Sequence, residues 1–160
     1  CVGSRPYQFN RLFEELDRLV DAGYVKDSLF AQIGASTYEP KNFRFEHFMD
    51  PDAFKAKIAE ADIVISHGAS GSIMGALNAG KRVIAVSRLA KYGEHINDHQ
   101  VGINETLAAE GLVLAVREMD ELGDAIEAME SGRVHLKPWH NPSPNAIIDE
   151  IDRFIQEEVL

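Results

Sequence analysis

The segment Ser66-His67-Gly68-Ala69-Ser70-Gly71-Ser72 carries the strongest chemical signal in the sequence. It follows a short apolar run at 62–66 and precedes a helical pattern, so it predicts a strand-to-helix turn. Small residues let a backbone approach a ligand closely, and the amides and dipole of a helix N-terminus favour an anion. The hydroxyls of Ser70 and Ser72 and a ring N–H of His67 would add donors. The turn therefore predicts a phosphate site.

The same turn also fits a purely structural interpretation, in which Ser70 is the N-cap of the helix. The residues alone leave both interpretations open. The pattern is neither GxGxxG nor a P-loop, because no Gly-Lys-Ser/Thr follows the glycines. This argues against a P-loop kinase or ATPase.

A second polar segment, 91–100, follows the next strand pattern at 82–86. Because the carboxyl ends of parallel strands meet at one edge of a sheet, we expect it to lie near the first segment. Planar polar side chains bind sugar hydroxyls, so the segment is a candidate sugar site. The side chains of this kind are Glu94, Asn97, Asp98, His99 and Gln100.

Two other interpretations apply to segment 91–100. Asn97 and Gln100 fit a helix capping box. The other interpretation is a metal site that contains His95 and His99 together with Glu94. The spacing does not support it, because no third ligand lies at a diagnostic distance in the sequence from the two histidines. We therefore expect no metal site.

Two more loops follow predicted strands. Gly3-Ser4 follows residues 1–2, which have the pattern of the end of a truncated first strand. Phe48-Met49 ends the strand pattern 43–48 and is a candidate base-binding loop. Asp50 is also expected to cap a helix whose first residue is Pro51.

The positioning elements follow from periodicity. Apolar strand patterns alternate with amphipathic helical patterns, which predicts βαβ units, a mostly parallel sheet and helices on both faces. We expect one domain over 1–160. The predicted helices are 9–21, 51–61, 72–79, 98–110, 119–129 and 146–159, the predicted strands are 28–33, 43–48, 62–66, 82–86 and 112–116, and a loop over 131–144 leads to the last helix.

Composition excludes several classes of protein. The chain has 160 residues, 16 Lys and Arg against 26 Asp and Glu, and a net charge of −10. This charge argues against a nucleic-acid binder, although backbone amides could still hold an anion. The single cysteine, Cys1, excludes a disulfide scaffold, and the apolar runs are too short to span a bilayer. We expect a cytoplasmic protein.

The segments Val2-Gly3-Ser4, Phe48-Met49-Asp50, 61–68 and 93–100 together resemble glycosyltransferase family 28. The likeness covers nearly the whole chain and lies in the C-terminal, nucleotide-sugar-binding half of this GT-B family. The chain is most similar to small single-domain bacterial exopolysaccharide glycosyltransferases. Those are similar to the catalytic subunit of the two-part N-acetylglucosaminyltransferase of dolichol-linked glycan synthesis. The resemblance implies a Rossmann-like α/β domain that is one half of a GT-B fold.

The resemblance also implies a role for each segment. Glu94 and His95 are candidates for the base that takes the proton of the acceptor hydroxyl. One departure is Gly75, which stands where many members have a glutamate that binds ribose. The implied contacts of a UDP-sugar are Gly3, Ser4, His67, Gly68, Ala69, Ser70, Gly71 and Ser72 at the diphosphate, Phe48 and Met49 at the uracil, and Asn97, Asp98, His99 and Gln100 at the donor sugar.

A second departure is that the sequence contains only the donor half of a GT-B enzyme. The resemblance implies a membrane-anchored subunit that binds the acceptor, a lipid-linked saccharide, and holds this chain at the inner face of the membrane. It implies inverting transfer with no cofactor beyond the UDP-sugar donor. Three alternatives are a non-catalytic UDP-sugar-binding module, a UDP-sugar epimerase relative, and a flavodoxin-like domain with no sugar role.

Overall fold

A computed structural model describes residues 1–25 and 27–141, and these residues alternate between strands and helices. Short 3-10 turns at Ala90–Tyr92 and Met119–Glu121 lie between the longer elements. The strands are β1 (Phe30–Gln32), β2 (Arg44–Glu46), β3 (Ile63–His67), β4 (Arg82–Val86) and β5 (Leu114–Val116), and the helices are α1 (Asn10–Asp21), α2 (Pro51–Glu60), α3 (Ser70–Asn78), α4 (His99–Ala109) and α5 (Leu122–Glu130).

The strands form two parallel sheets that residues 1 and 2 join. β1 pairs with β2, and β3, β4 and β5 pair in that order. The Val2 N–H donates to the carbonyl of Gln32 in β1 at 3.1 Å, and the His67 N–H in β3 donates to the Cys1 carbonyl at 3.4 Å. Strand order therefore reverses at residues 1 and 2, with β1 on one side and β3 on the other. Crevices at such switch points bind ligands in α/β folds.

Helices cover both faces of the second sheet. Along the buried strand β4, Ile84 and Val86 pack in one apolar cluster with residues of α1 and α5. Val83 and Ala85 point to the opposite face and pack with residues of α3. Side chains alternate across a strand, so this division places helices on both sides. The predicted α/β architecture is confirmed.

Most predicted elements appear with shifted ends. β1 and β2 are shorter than their apolar patterns, and the predicted helix 119–129 begins as a 3-10 turn. Asp50 caps α2 as predicted, because its Oδ1 accepts the N–H groups of Asp52 at 3.1 Å and Ala53 at 3.0 Å. Residues 131–141 form no helix or strand. The predicted helix 146–159 lies outside the described residues.

A buried carboxylate attaches the loop after β1 to α1. Asp17 accepts hydrogen bonds from the Tyr38 hydroxyl at 2.7 Å and from the N–H groups of Lys41 and Asn42, at 3.0 Å and 2.8 Å for the shortest pairs. Burial alone would raise the pKa of Asp17, but these hydrogen bonds outweigh it and the pKa is lowered. Asp17 is therefore charged at neutral pH and fully partnered.

Candidate functional site

Glycines bring the backbone close to neighbouring side chains on two sides of the turn after β3. A Cβ added to Gly3 would lie 3.3 Å from Nε2 of His67. A Cβ added to Gly68 would lie only 2.6 Å from Cβ of Gln100 and 2.9 Å from Nδ2 of Asn104. The loop after residues 1–2, the His67-Gly68 turn and α4 therefore meet at the switch point.

Helix α3 begins at this turn. Its N-cap is Ala69, with extended backbone, and no side chain caps the amides of its first turn. The alternative in which Ser70 is the N-cap is wrong, because Ser70 is the first helical residue. Ser70 and Gly71 are exposed, and a Cβ added to Gly71 would meet nothing within 4 Å. The first turn of α3 is therefore open to an approaching anion.

An ion pair fastens the loop after β4 to α1. Glu94 is fully buried, and both of its carboxylate oxygens accept from the Arg11 guanidinium, each at 3.0 Å. Glu94 also accepts the Leu89 N–H at 2.9 Å, and Arg11 donates to the Ser87 carbonyl at 3.1 Å. Glu94 thus has no free carboxylate oxygen.

A second arginine, Arg88, lies buried two residues beyond β4. Its guanidinium donates to the Tyr7 carbonyl at 2.8 Å and lies 5.5 Å from the ring centroid of Phe9. Its backbone N–H donates to Oε1 of Gln100 at 3.1 Å. Arg88 therefore joins the loop after residues 1–2 to the loop after β4.

Four buried polar atoms around this turn have no hydrogen-bond partner. They belong to residues on the turn, the loop after β4 and α4, and across 1–25 and 27–141 no other buried side-chain nitrogen or oxygen of a non-exposed residue is unpartnered. Buried polar atoms are normally paired, so such a concentration marks a candidate ligand site. The atoms are Nδ1 of His67, Nε of Arg88, Nδ1 of His95 and Oδ1 of Asn104.

The His67 imidazole is held neutral. Burial of the ring, followed by the positive charge of Arg88, lowers the pKa of His67 to about 3. A neutral ring carries one N–H and one acceptor nitrogen. His67 can therefore donate one hydrogen bond at neutral pH without carrying a charge.

The predicted sugar-binding residues divide into two groups. Asn97, Asp98 and His99 are exposed, whereas Gln100 is buried. The predicted capping box of Asn97 and Gln100 is wrong. Gln100 turns inward to accept the Arg88 N–H, and Asp98 is the residue before α4 and accepts the Ala90 N–H at 2.7 Å.

His95 lies in a row of three rings that pack in tilted and edge-to-face geometry. Its ring centroid is 4.8 Å from that of Tyr7 and 4.7 Å from that of His99. The row leads from the loop after residues 1–2 to the first turn of α4. It brings a predicted catalytic residue next to a predicted sugar-binding residue.

The predicted base-binding loop lies on the other side of β1 from the residues around the His67-Gly68 turn. Phe48 is 52% exposed, so its ring is available for stacking. The Met49 N–H donates to Oε1 of Gln32 at 3.0 Å, while Nε2 of Gln32 donates to the Val2 carbonyl at 2.7 Å. Gln32 thus ties this loop to residues 1–2.

Sequence reasoning missed three residues that build the site. Gln32 lies inside an apolar strand pattern, and Arg88 lies between the strand pattern 82–86 and segment 91–100, outside both. Asn104 is four residues after Gln100, so both lie on one face of α4, and this spacing was the available signal. The remaining predicted residues stay predictions, including Ser4, which is exposed, and Gly75, where a Cβ would meet nothing within 4 Å.

Residues 1–25 and 27–141 contain no group of three or more His, Cys, Asp or Glu side chains placed to hold a metal ion. In the same part of the chain, no helix combines the length and apolarity needed to cross a bilayer.

Known proteins resemble this chain in sequence and in fold. UDP-N-acetylglucosamine transferase subunit ALG13 of Homo sapiens is 33% identical over 103 residues, which is 61% of this chain and 8% of that protein. The Mus musculus protein of the same name is 35% identical over 98 residues, 58% of this chain and again 8% of its own length. The crystal structure of Acinetobacter baumannii MurG superposes with a TM-score of 0.61 at 16% identity, over 97% of this chain and 48% of MurG.

The chain spans less than a tenth of the curated relatives and about half of MurG. The likeness to MurG shows the fold. The family follows from a longer match, since residues 1–146 match the glycosyltransferase family 28 C-terminal domain. That match covers all of the described residues, including the turn after β3 and the loop after β4. The chain therefore belongs to the glycosyltransferase family 28 C-terminal domain family.

Proposed function

We propose that this chain is the donor-binding half of a glycosyltransferase that transfers a sugar from a UDP-sugar to a lipid-linked saccharide. The observation that carries the proposal is the set of four unpartnered buried polar atoms around the His67-Gly68 turn. They lie beside an uncapped helix N-terminus at the strand-order switch. A nucleoside diphosphate would supply acceptor oxygens for the orphaned donors and place negative charge at that N-terminus.

Each predicted contact is assigned to one part of the donor. The diphosphate lies against His67 and the turn 68–72, with Gly3-Ser4 on the other side of the crevice. The uracil lies at Phe48-Met49, which Gln32 holds near the crevice. The donor sugar lies toward 97–100. Family membership supports this assignment, because these segments all fall within the matched residues 1–146.

The reaction we propose is a direct displacement with inversion at the anomeric carbon. The acceptor hydroxyl oxygen forms a bond to that carbon while the bond to the diphosphate oxygen breaks. Negative charge then builds on the leaving UDP. The amides of the first turn of α3 and the N–H of neutral His67 would stabilise it without reorganisation.

The two candidates for the base differ in their surroundings. Both oxygens of Glu94 accept from Arg11, so its contacts favour a structural role on this chain. His95 keeps its Nδ1 without a partner, and its ring packs between those of Tyr7 and His99. We therefore assign proton removal to His95, or to a group supplied by the partner subunit.

We further propose a membrane-anchored partner subunit that binds the acceptor. ALG13 is named a subunit of a UDP-N-acetylglucosamine transferase, which supports a two-part enzyme. The partner would hold this chain at the inner face of the membrane. Exopolysaccharide synthesis is the process that the resemblance of segment 88–100 favours.

A second candidate is a binding module that holds a UDP-sugar without turnover. Two observations favour it. Glu94 is occupied by Arg11, and Gly75 offers no side chain to the ribose. Assays of sugar transfer with and without the partner subunit separate the two functions, because only an enzyme releases UDP in step with product.

The proposal is tested by thermal unfolding with UDP, ADP, GDP and TDP in the absence of metal. At ten times its dissociation constant a ligand adds about 1.4 kcal/mol, which is roughly 3–6 °C for a protein of this size. We expect this shift with UDP alone. Equal shifts with all four nucleotides, or none with UDP even when the partner subunit is present, would contradict the proposal.

The variant His67→Ala identifies the site. We expect its UDP affinity to fall at least about tenfold, because a donor to the diphosphate is lost. His135→Ala is the matched control, since His135 is exposed in the segment after α5. Unchanged UDP affinity in His67→Ala would place the nucleotide elsewhere.

A further inference from the structure

Charge does not balance in the buried cluster between the loop after residues 1–2 and the loop after β4. Arg11 and Arg88 carry one positive charge each, and Glu94 carries the negative charge that both interact with. The carboxylate oxygens of Glu94 are taken by Arg11 and the Leu89 N–H. The cluster therefore keeps one positive charge more than it neutralises, in a chain whose net charge is −10.

The excess charge lies on Arg88. This residue is 1% exposed, its guanidinium donates to the neutral carbonyl of Tyr7, and its Nε is buried with no partner. Burial lowers the pKa of Arg88 to about 10 while Glu94 acts in the opposite direction, so the guanidinium remains charged at neutral pH. A buried charge without a counter-charge is costly unless the protein gains something from it.

Arg88 lies at the predicted diphosphate site, because its backbone N–H donates to Gln100 and Gln100 packs directly on Gly68 of the turn. Its positive charge is also the second largest cause, after burial, of the lowered pKa of His67. His67 in turn lies against Gly3 and opens the turn into α3. An anion held at this turn would therefore sit within the field of Arg88, which is little screened because the group is buried.

We propose that Arg88 is the positioning cation of the diphosphate site: it supplies the unbalanced positive charge that draws a diphosphate to the switch-point crevice, while its hydrogen bond to Tyr7 holds the loop after residues 1–2 in place. The inference rests on the proposed function for the identity of the diphosphate. The inference adds to the proposed function that Arg88 is the residue through which the site recognises the negative charge of the phosphates.

The test is calorimetric titration of the full chain with inorganic pyrophosphate, uridine and UDP at constant ionic strength without metal. In Arg88→Met we expect pyrophosphate and UDP affinities to fall at least about tenfold while uridine affinity stays within about twofold. Arg82→Met is the matched control. Arg82 lies at the opposite end of the same strand, β4, and likewise donates its guanidinium to a backbone carbonyl, that of Met129 at 2.6 Å.

Two further variants test charge rather than packing. Arg88→Lys keeps the charge, so it should bind pyrophosphate at least about threefold more tightly than Arg88→Met. Glu94→Gln raises the excess charge by one, so pyrophosphate should bind about threefold more tightly than to the wild type. A merely structural role of Arg88 predicts no gain in Glu94→Gln. If Arg88→Met does not fold, the comparison of Glu94→Gln with the wild type decides.

The outcomes separate the two proposals. Pyrophosphate binding that depends on Arg88, without any binding of UDP or uridine even when the partner subunit is present, overturns the nucleotide function and supports the inference. UDP binding that Arg88→Met leaves unchanged, or equal losses for uridine and pyrophosphate, overturns the inference and leaves the function standing. No binding of pyrophosphate or UDP to the wild type, again with the partner subunit present, overturns both.

Discussion

Helix α1 takes part in two buried polar clusters, and they are built in opposite ways. Near its C-terminal end, Asp17 receives the Tyr38 hydroxyl and two backbone N–H groups. Near its N-terminal end, Arg11 joins a cluster that keeps four polar atoms unpartnered and one positive charge unbalanced. The comparison separates a network that holds the fold from one that is incomplete without a ligand.

The two clusters differ in how many of their polar groups find a hydrogen-bond partner within the folded chain itself. Every donor around Asp17 has its acceptor, so that network stabilises the protein as it stands. At the switch point, the orphaned atoms cost stability until something binds them. Mutations in the first cluster should therefore change stability, and mutations in the second should change ligand binding.

The largest expected effect is loss of stability in Asp17→Ala. Removing a charged acceptor of several hydrogen bonds should lower the free energy of unfolding by about 3 kcal/mol, measured by urea denaturation at pH 7. UDP affinity of the folded variant should not change. Since the pKa of Asp17 is lowered in the folded state, its contribution is present at neutral pH and is lost as the pH falls through the acidic range.

Glu14→Ala is the control for that experiment, because Glu14 is exposed on the same helix. It should change stability by less than about 0.5 kcal/mol. A loss below about 1 kcal/mol in Asp17→Ala, or a change in UDP affinity, would remove the distinction between the clusters.

Next in size is Gly68→Ala, where the added Cβ would lie 2.6 Å from Gln100. Since α4 must shift away from the turn, we expect a loss of about 2 kcal/mol in unfolding free energy. UDP should no longer bind at concentrations that saturate the wild type. Gly75→Ala is the matched helical control, because its Cβ meets nothing, and it should stabilise the chain by about 0.5–1 kcal/mol. Normal UDP binding by Gly68→Ala would show that the turn does not need α4.

The smallest effect, counted per pH unit, is the pH dependence of stability that His67 adds. Its folded pKa of about 3 lies below its ordinary value of 6.5, so between these values the unfolded chain binds a proton that the folded chain does not. Wild-type stability should therefore fall, relative to His67→Gln, by at most about 1.4 kcal/mol per unit as the pH drops below 6.5. Urea denaturation from pH 7 to 4 measures this, with His135→Gln as the control. If the unfolding free energies of wild type and His67→Gln change with pH in parallel, the pKa of His67 is the same in the folded and unfolded states.

Much of the fold and part of the site were predictable from local pattern. The runs 62–66 and 82–86 contain the core strands β3 and β4, and Asp50 before Pro51 marks the start of α2. These signals work because strand and helix periodicity, like helix capping, depends on neighbours in the chain. The same logic placed His67 and Gly68 at a strand-to-helix turn.

Local pattern gave wrong predictions where a side chain contacts a residue that is distant in the sequence. Gln100 matched a capping box with Asn97 but instead accepts the Arg88 N–H, because Gly68 allows α4 to pack directly on the turn. Glu94 looked like a free acid in a polar loop, but it is buried against Arg11. At both positions a tertiary contact is formed instead of the role that the neighbouring residues in the sequence had indicated.

The alternation of apolar residues thus accounts for the layers, the parallel strands and the polar loops at the strand ends. Tertiary contacts alone determine which of those polar groups are satisfied and where charge is left over. The hydrogen bond between Arg88 and Tyr7 joins residues 81 positions apart in the sequence, and that between Arg11 and Glu94 joins residues 83 positions apart. Periodicity reports whether a residue is buried, but the partner of a buried charge depends on which distant segments the fold brings together.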